Sequence, residues 1–268
     1  MIRDITIGQY YPAKSILHRL DPRTKLVATL LYLISLFLFD GFAGYIVATV
    51  FLVSIIKLSK VPFKFIVKGL KPIIMLLMIT VLFNLFLTRS GEVLFSFWIF
   101  TVTSGGLHTA VFMAMRLIYL ILGSSIMTFT TTPNELTDGI EKLLGPLRKI
   151  HVPVHEIAMM MSIALRFIPI LLEETDKIMK AQIARGADLE SGNIIQKAKA
   201  MIPILVPLFV SAFRRANDLA MAMEARCYRG GDGRTKMKPL VYHKRDYVAY
   251  TITILYVVIA VLVGKFLA

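Results

Sequence analysis

The 268-residue chain has one cysteine, Cys227, so no internal disulfide can form, and a reducing compartment suits it. It is short of acid, with 17 Asp and Glu against 31 Lys and Arg and a formal net charge of +14. That balance fits nucleic acid, anionic lipid or a positive-inside bias, and the placement of the charges must choose among them. No segment fits the phosphate-binding pattern G-x-x-x-x-G-K-[ST]. The nearest, Gly230-Gly-Asp-Gly-Arg-Thr-Lys236, has the wrong spacing and reads as a flexible loop, which argues against ATP hydrolysis by the chain itself. His155-Glu156 opens like a zinc-protease helix, but Met159 stands where the second ligand belongs. His151 and His155 are separated by Pro153, which argues against a shared helical face, and no metal site is expected. No nucleophile stands beside a base, so no enzymatic site is expected either. The first 20 residues hold no apolar run of seven or more, so a cleavable signal peptide is not expected.

What the chain has in excess is apolar sequence. Hydrophobic residues make up 56% and the mean hydropathy is +0.69, above the roughly 45–50% of soluble domains. These residues are gathered into long runs. Residues 26–39 and 45–56 flank an Asp40-Gly41 turn signal and predict a helical hairpin, with each arm extending into its flanks to approach the roughly 20 residues a span needs. A basic loop with Pro62 leads to a third run at 72–87, which ends at Arg89-Ser-Gly91. Residues 93–103, aromatic and β-branched, are too short to cross as a helix and suit the outer interface, where Trp98 is favoured. A fourth span is predicted over 107–129 and a fifth over 247–267. Between them two apolar stretches, 157–172 and 202–213, are interrupted by Arg166 and Pro169 and by Pro203 and Pro207. They predict amphipathic helices lying on the cytoplasmic face, with membrane spans as the alternative.

Charge placement sets the orientation. Five basic residues precede Leu26, five lie between Lys57 and Lys71, and 18 fall between Thr130 and Asp246, together 28 of 31. With the N-terminus inside, only Arg89 and Lys265 face outward and Arg116 lies within the membrane, as the positive-inside rule requires. Nucleic-acid binding is then unnecessary as an explanation. The expected class is an all-α, polytopic protein of the cell membrane with about five transmembrane helices. Its expected domains are a four-span membrane domain over residues 1–129, a cytoplasmic helical domain over 130–245, and the last span over 246–268. At 1.5 Å per residue, Arg116 and Asn84 reach similar depths in their spans and are expected to hydrogen-bond inside the bundle.

Two segments echo each other across 41 positions: Ala181-Gln-Ile-Ala184-Arg185-Gly186 and Ala222-Met-Glu-Ala225-Arg226-Cys227. Each predicts the end of an amphipathic helix, where small residues permit close approach and the Arg complements the helix dipole. A guanidinium presented this way suits a carboxylate in a groove; ordinary C-capping explains the same spacing.

Asp21-Pro-Arg-Thr-Lys25, Thr131-Thr-Pro-Asn-Glu-Leu136, Leu165-Arg-Phe-Ile-Pro169, Ala184-Arg-Gly-Ala-Asp188 and Ala225-Arg226 ahead of Arg229-Gly-Gly231 follow one another along the chain. In this order they resemble the signatures of the transmembrane (T) component of energy-coupling factor vitamin transporters. The resemblance implies a non-catalytic coupling subunit that joins two cytosolic ATP-binding cassette ATPases to a small substrate-binding membrane protein. It binds no cofactor itself; ATP belongs to the partner subunits. It further implies that the X-Arg-X motifs Ala184-Arg185-Gly186 and Ala225-Arg226-Cys227 dock in grooves of the ATPases, so residues 130–245 become the coupling domain. Because Cys227 replaces the commoner Gly, the second helix is expected to run on to Gly230. Half of the 14 methionines fall in these helices, and Met159, Met160, Met161, Met221 and Met223 are expected to offer the substrate-binding subunit an adaptable platform, with plain helix packing as the alternative. A cobalt or nickel transporter of the same type is the nearest other function. An orphan scaffold or intramembrane enzyme would leave both Arg motifs unexplained.

Overall fold

The computed structural model describes residues 10–39, 41–88, 92–97, 100–187, 193–231 and 237–266. Asp40, Arg89-Ser-Gly91, Trp98, Asp188 and residues 232–236 of the Gly-rich loop, each singled out above, lie outside the described residues. The elements are α1 (Pro22–Ser35), α2 (Phe42–Ser59), α3 (Phe63–Lys68), α4 (Ile74–Leu87), β1 (Val93–Phe97), β2 (Phe100–Thr103), α5 (Ser104–Thr130), α6 (Pro133–Leu143), α7 (Val154–Ala184), α8 (Ile194–Ala225) and α9 (Lys244–Phe266). The β1–β2 antiparallel hairpin contains the only strands among the described residues. The chain divides into two compact units, one made of residues 8–140 and 240–268 and the other built on 141–239.

In the first unit α9 packs against α1 and α2, and α5 packs against α1, α2 and α4. The core holds a cluster of aromatic rings among aliphatic side chains. Phe51 stacks on Tyr256 with ring centroids 3.9 Å apart, Tyr32 lies 5.9 Å from Tyr256, and Ser35 and Tyr256 share a hydrogen bond of 3.0 Å. The hydroxyls of Ser35 and Tyr256 are thus satisfied within the bundle, as a lipid surround demands. Close approach needs small residues at two crossings: a Cβ at Gly123 would overlap the Tyr32 ring, and one at Gly264 would lie 2.5 Å from Phe39 Cβ.

Local sequence chemistry explains where these helices begin. Thr103 caps α5, accepting from Gly106 N–H at 3.1 Å while its hydroxyl donates to Thr88 O at 2.8 Å. Thr132 and Glu135 form a capping box around Pro133: Thr132 N–H donates to the Glu135 carboxylate and Glu135 N–H to the Thr132 hydroxyl. Asp21 caps α1 by accepting from Arg23 N–H at 2.9 Å, with Pro22 at the first helical position.

Helix length and composition alone select a different set of candidate spans from the expected one. Among the described residues, five helices are long and apolar enough to cross a membrane, namely α2, α5, α7, α8 (from Ile195) and α9. α1 and α4 have 14 residues each, about 21 Å at 1.5 Å per residue against a hydrocarbon core of roughly 30 Å. The stretches expected at 157–172 and 202–213 are instead continuous helices of 31 and 32 residues that contain Pro169, Pro203 and Pro207. The prolines do not interrupt them. Pro207 has no N–H for the carbonyl of Pro203, and Gln182 Nε2 donates to that carbonyl at 3.3 Å.

In the second unit α7 and α8 run antiparallel. Gln182 reaches Pro203, Glu174 accepts from Ser211 and Arg215 at 2.6 and 2.7 Å, and the Tyr228 hydroxyl beyond α8 meets Met159 Sδ at 3.2 Å. As residue numbers rise along α7, those of their partners fall.

Candidate functional site: two arginine-tipped helix ends

The 41-residue echo is a structural repeat. At the end of α7, Gly186 N–H donates to Ile183 O at 2.9 Å and Ala187 N–H to Gln182 O at 3.0 Å. At the end of α8, Cys227 N–H donates to Glu224 O at 2.8 Å and Tyr228 N–H to Met223 O at 3.0 Å. Both are Schellman motifs, with the left-handed residue at Gly186 (φ 84) and Cys227 (φ 56). The expectation that α8 continues to Gly230 is therefore corrected: the helix ends at Ala225, because Cys227 itself adopts the left-handed conformation. Ala184 and Ala225 are the last helical residues, and Arg185 and Arg226 follow them in matching backbone geometry, φ −87 and −93.

Both arginines are exposed, and neither guanidinium has a partner among the described residues. The antiparallel pairing puts them at opposite ends. Met159, beside Tyr228, lies 26 positions before Arg185, or about 39 Å along α7 at 1.5 Å per residue.

The surroundings of the two tips differ. Arg226 lines a cavity of about 650 Å³ with Arg166 and Arg229, floored by Met159, Met223 and Tyr228. Arg166 of the Leu165–Pro169 motif and Arg229 of the Arg229–Gly231 motif thus meet at the second tip. The loop is held to α7 where Gly231 rests on the His155 ring, so closely that a Cβ there would overlap it, and His155 Nδ1 pairs with Glu141 at 2.9 Å. No group of three or more His, Cys, Asp or Glu residues that could hold a metal occurs among the described residues.

The methionines divide. Met159 and Met223 are half-buried in the cavity wall, whereas Met160, Met161 and Met221 are exposed. Beyond them α8 exposes Ile202, Leu205, Val206, Phe209, Val210 and Phe213, spaced as one helical face. The expectation centred on methionine did not include this stripe, although the three- and four-residue spacing of its members could have shown it.

Arg116 and Asn84 do not pair. Arg116 Nε donates to the Tyr45 hydroxyl at 3.1 Å and its NH2 group to Phe39 O at 3.5 Å, while Asn84 Nδ2 donates to Thr80 O of its own helix at 2.8 Å. Equal depth fixed their height, but the direction around each helix axis decides contact, and Arg116 is turned toward α2 and the segment that follows α1.

The Asp21–Lys25 motif does more than cap. Asp246, without exposed surface at the start of α9, accepts from Asp21 N–H and from His243 N–H, each at 2.8 Å. Asp21 holds Arg23 through two side-chain bonds, the Arg23 guanidinium lies 3.8 Å over the Tyr242 ring, and Lys25 Nζ donates to Thr130 O at 2.7 Å. The motif ties the starts of α1 and α9 to the end of α5. Burial alone would raise the Asp21 pKa, but the hydrogen bonds and charge of Arg23, with Lys25 behind, hold it below its ordinary value.

These features define an all-α, multi-pass membrane protein carrying a helix pair with twin arginine tips. A family model described as cobalt transport protein, CbiQ, matches residues 13–237. The chain is 59% identical over 263 residues to the energy-coupling factor transporter transmembrane protein EcfT of Clostridium kluyveri, covering 98% of this chain and 97% of that one. The EcfT protein of Bacillus subtilis is 51% identical over 246 residues, 92% and 93% of the two chains. That of Lactococcus lactis subsp. cremoris is 44% identical over 264 residues, 98% and 99%. The chain belongs to this family, as a transmembrane T component of energy-coupling factor transporters.

Proposed function

We propose that this T component is the non-catalytic coupling subunit of an importer: two cytosolic ATPases dock on Arg185 and Arg226, and a small substrate-binding membrane protein rests on the exposed apolar surface of α7 and α8. ATP binding and hydrolysis move the paired ATPases, and the helix pair passes that motion to the substrate-binding subunit, which carries a vitamin. The observation that carries this reading is the repetition, at each end of an antiparallel helix pair, of one Schellman-ended arginine tip without a partner among the described residues. Tips about 40 Å apart along a stiff pair suit two separate globular partners, one at each end. Each guanidinium is suited to a carboxylate in the partner's groove, since its planar fork matches that geometry.

Copurification of the ATPases with single and double arginine variants tests the docking. Removing one partner of a buried, hydrogen-bonded charge pair loses about 2–5 kcal/mol, so Arg185→Ala or Arg226→Ala alone weakens assembly while the other tip still tethers it. The double variant loses the gain from two-point attachment, dissociates far more readily and loses coupled uptake while remaining folded. Lys at either site rescues only in part. Normal ATPase recovery and uptake in the double variant would refute the reading.

A second substrate class is favoured by one observation, the description of the matching family model as a cobalt transport protein. Uptake assays on the assembled complex with labelled vitamin and with cobalt separate the two.

A further inference from the structure

A cavity of about 200 Å³, open along one side, lies in the first unit between α1, α2, α5 and α9. Its wall is almost wholly apolar, running from Ala28 and Tyr32 past Phe51 to Ile126 and Ile252. One end differs. Thr24, Lys25 and Arg245 line it there, brought together because the Asp246–Asp21 bond joins the starts of α9 and α1.

That end holds donors without acceptors. The Thr24 hydroxyl is buried and has no partner among the described residues. An ammonium has three donors, and Lys25 spends two, on Thr130 O at 2.7 Å and His18 O at 3.4 Å. The Arg245 guanidinium is exposed and has no partner among the described residues. An unsatisfied buried donor is costly, and an apolar cavity does not fill with water, so this wall calls for a ligand with an apolar chain and an anionic, acceptor-rich head.

We propose that the cavity is a binding site for an anionic phospholipid, with one acyl chain between the helices and the phosphate at Thr24, Lys25 and Arg245. The basic residues of this chain cluster on the side assigned to the cytoplasm, so the lipid belongs to the inner leaflet, where anionic lipids meet basic pockets between helices. The leaflet assignment rests on the proposed orientation; the site itself does not.

The test is native mass spectrometry of the full chain, delipidated in a neutral detergent and titrated with phosphatidylglycerol or phosphatidylcholine of identical chains. Phosphatidylglycerol is expected to bind more tightly at a single saturable site. Arg245→Ala should weaken it about fivefold, the effect of one basic residue at a membrane surface, and weaken phosphatidylcholine, whose choline offsets the phosphate charge, less. Lys244→Ala, next in sequence but not lining the cavity, should have no effect; an equal loss there would reduce the preference to surface charge and overturn the site. Ala28→Phe should exclude both lipids by filling the cavity. Should that variant unfold, Thr24→Val removes the free hydroxyl with little change of shape and should weaken phosphatidylglycerol. Equal binding of the two lipids, or indifference to both Arg245→Ala and Thr24→Val, would refute the proposal. None of these readouts involves an ATPase, so failed arginine docking and failed lipid binding are distinguishable.

Discussion

Asp246 is the residue on which the junction of α1 and α9 depends, since one buried carboxylate accepts from two backbone N–H groups 222 positions apart, those of Asp21 and His243. Asp246→Ala leaves the Asp21 N–H buried and unsatisfied, so a loss of about 1–3 kcal/mol is expected, read as a lower unfolding temperature of the detergent-solubilised chain. Asp246→Asn keeps one acceptor oxygen and should lose less. Asp21 makes a pH prediction at the same junction. Its folded pKa lies below the ordinary 3.8, so its contribution is fully present above that value and is lost as pH falls through the lower, folded pKa. Thermal unfolding followed through the acid range should show this dependence in the native chain and a flatter profile in Asp21→Asn. Of this cluster the sequence made only the local part legible. An Asp followed by Pro, then a helix, announces an N-cap, whereas the partner carboxylate of Asp246 is reached only through folding.

The ends of α7 and α8 show how much an element discloses about itself. The small-residue, Arg, turn-residue pattern was enough to mark two helix ends, because helix termination is a local matter of orphan carbonyls and left-handed backbone. It was not enough to stop α8 correctly, since a Cys in the left-handed region is uncommon and the Gly at 230 looked the better candidate. The prolines misled in the same way: Pro203 and Pro207 remain inside α8, where a side chain 21 positions before Pro203, Gln182, satisfies a carbonyl they orphan. The two caps now make opposite predictions. Gly186 sits at φ 84 with open space around its Cα, so Gly186→Ala acts through the backbone alone and should raise the free energy of that helix end by about 1–2 kcal/mol. Cys227→Gly relieves the same kind of strain and offsets it with unfolded-state entropy, leaving stability nearly unchanged. Amide hydrogen exchange over residues 181–187 and 222–228 checks both; faster exchange in Cys227→Gly than in Gly186→Ala would contradict the shared motif.

For the whole molecule, the open question is on which side of the bilayer the tip of Arg185 lies, and length alone gives the wrong instruction. α7 and α8 are each long and apolar enough to cross, and an antiparallel pair that crossed would return the chain to the side on which it began. Such a crossing would carry Lys177, Lys180, Arg185, Lys197 and Lys199 outward, against the positive-inside rule. It would also put Arg185 and Arg226 on opposite sides of the membrane, where cytosolic partners could not reach both. Their apolar residues are gathered on one side of each helix, whereas those of α2 and α9 are spread around the axis, which fits an interfacial or partner-covered pair better than a lipid-immersed one. Both tips are therefore expected in the cytosol. A cysteine introduced at Ala187 in a Cys227→Ser background should stay unlabelled by an impermeant maleimide on intact cells and react in inside-out vesicles. Native Cys227, exposed beside the other tip, should behave the same way. Labelling of position 187 from outside, with Cys227 labelled only from inside, would show that the pair crosses and would remove the two-ended docking of the ATPases with it.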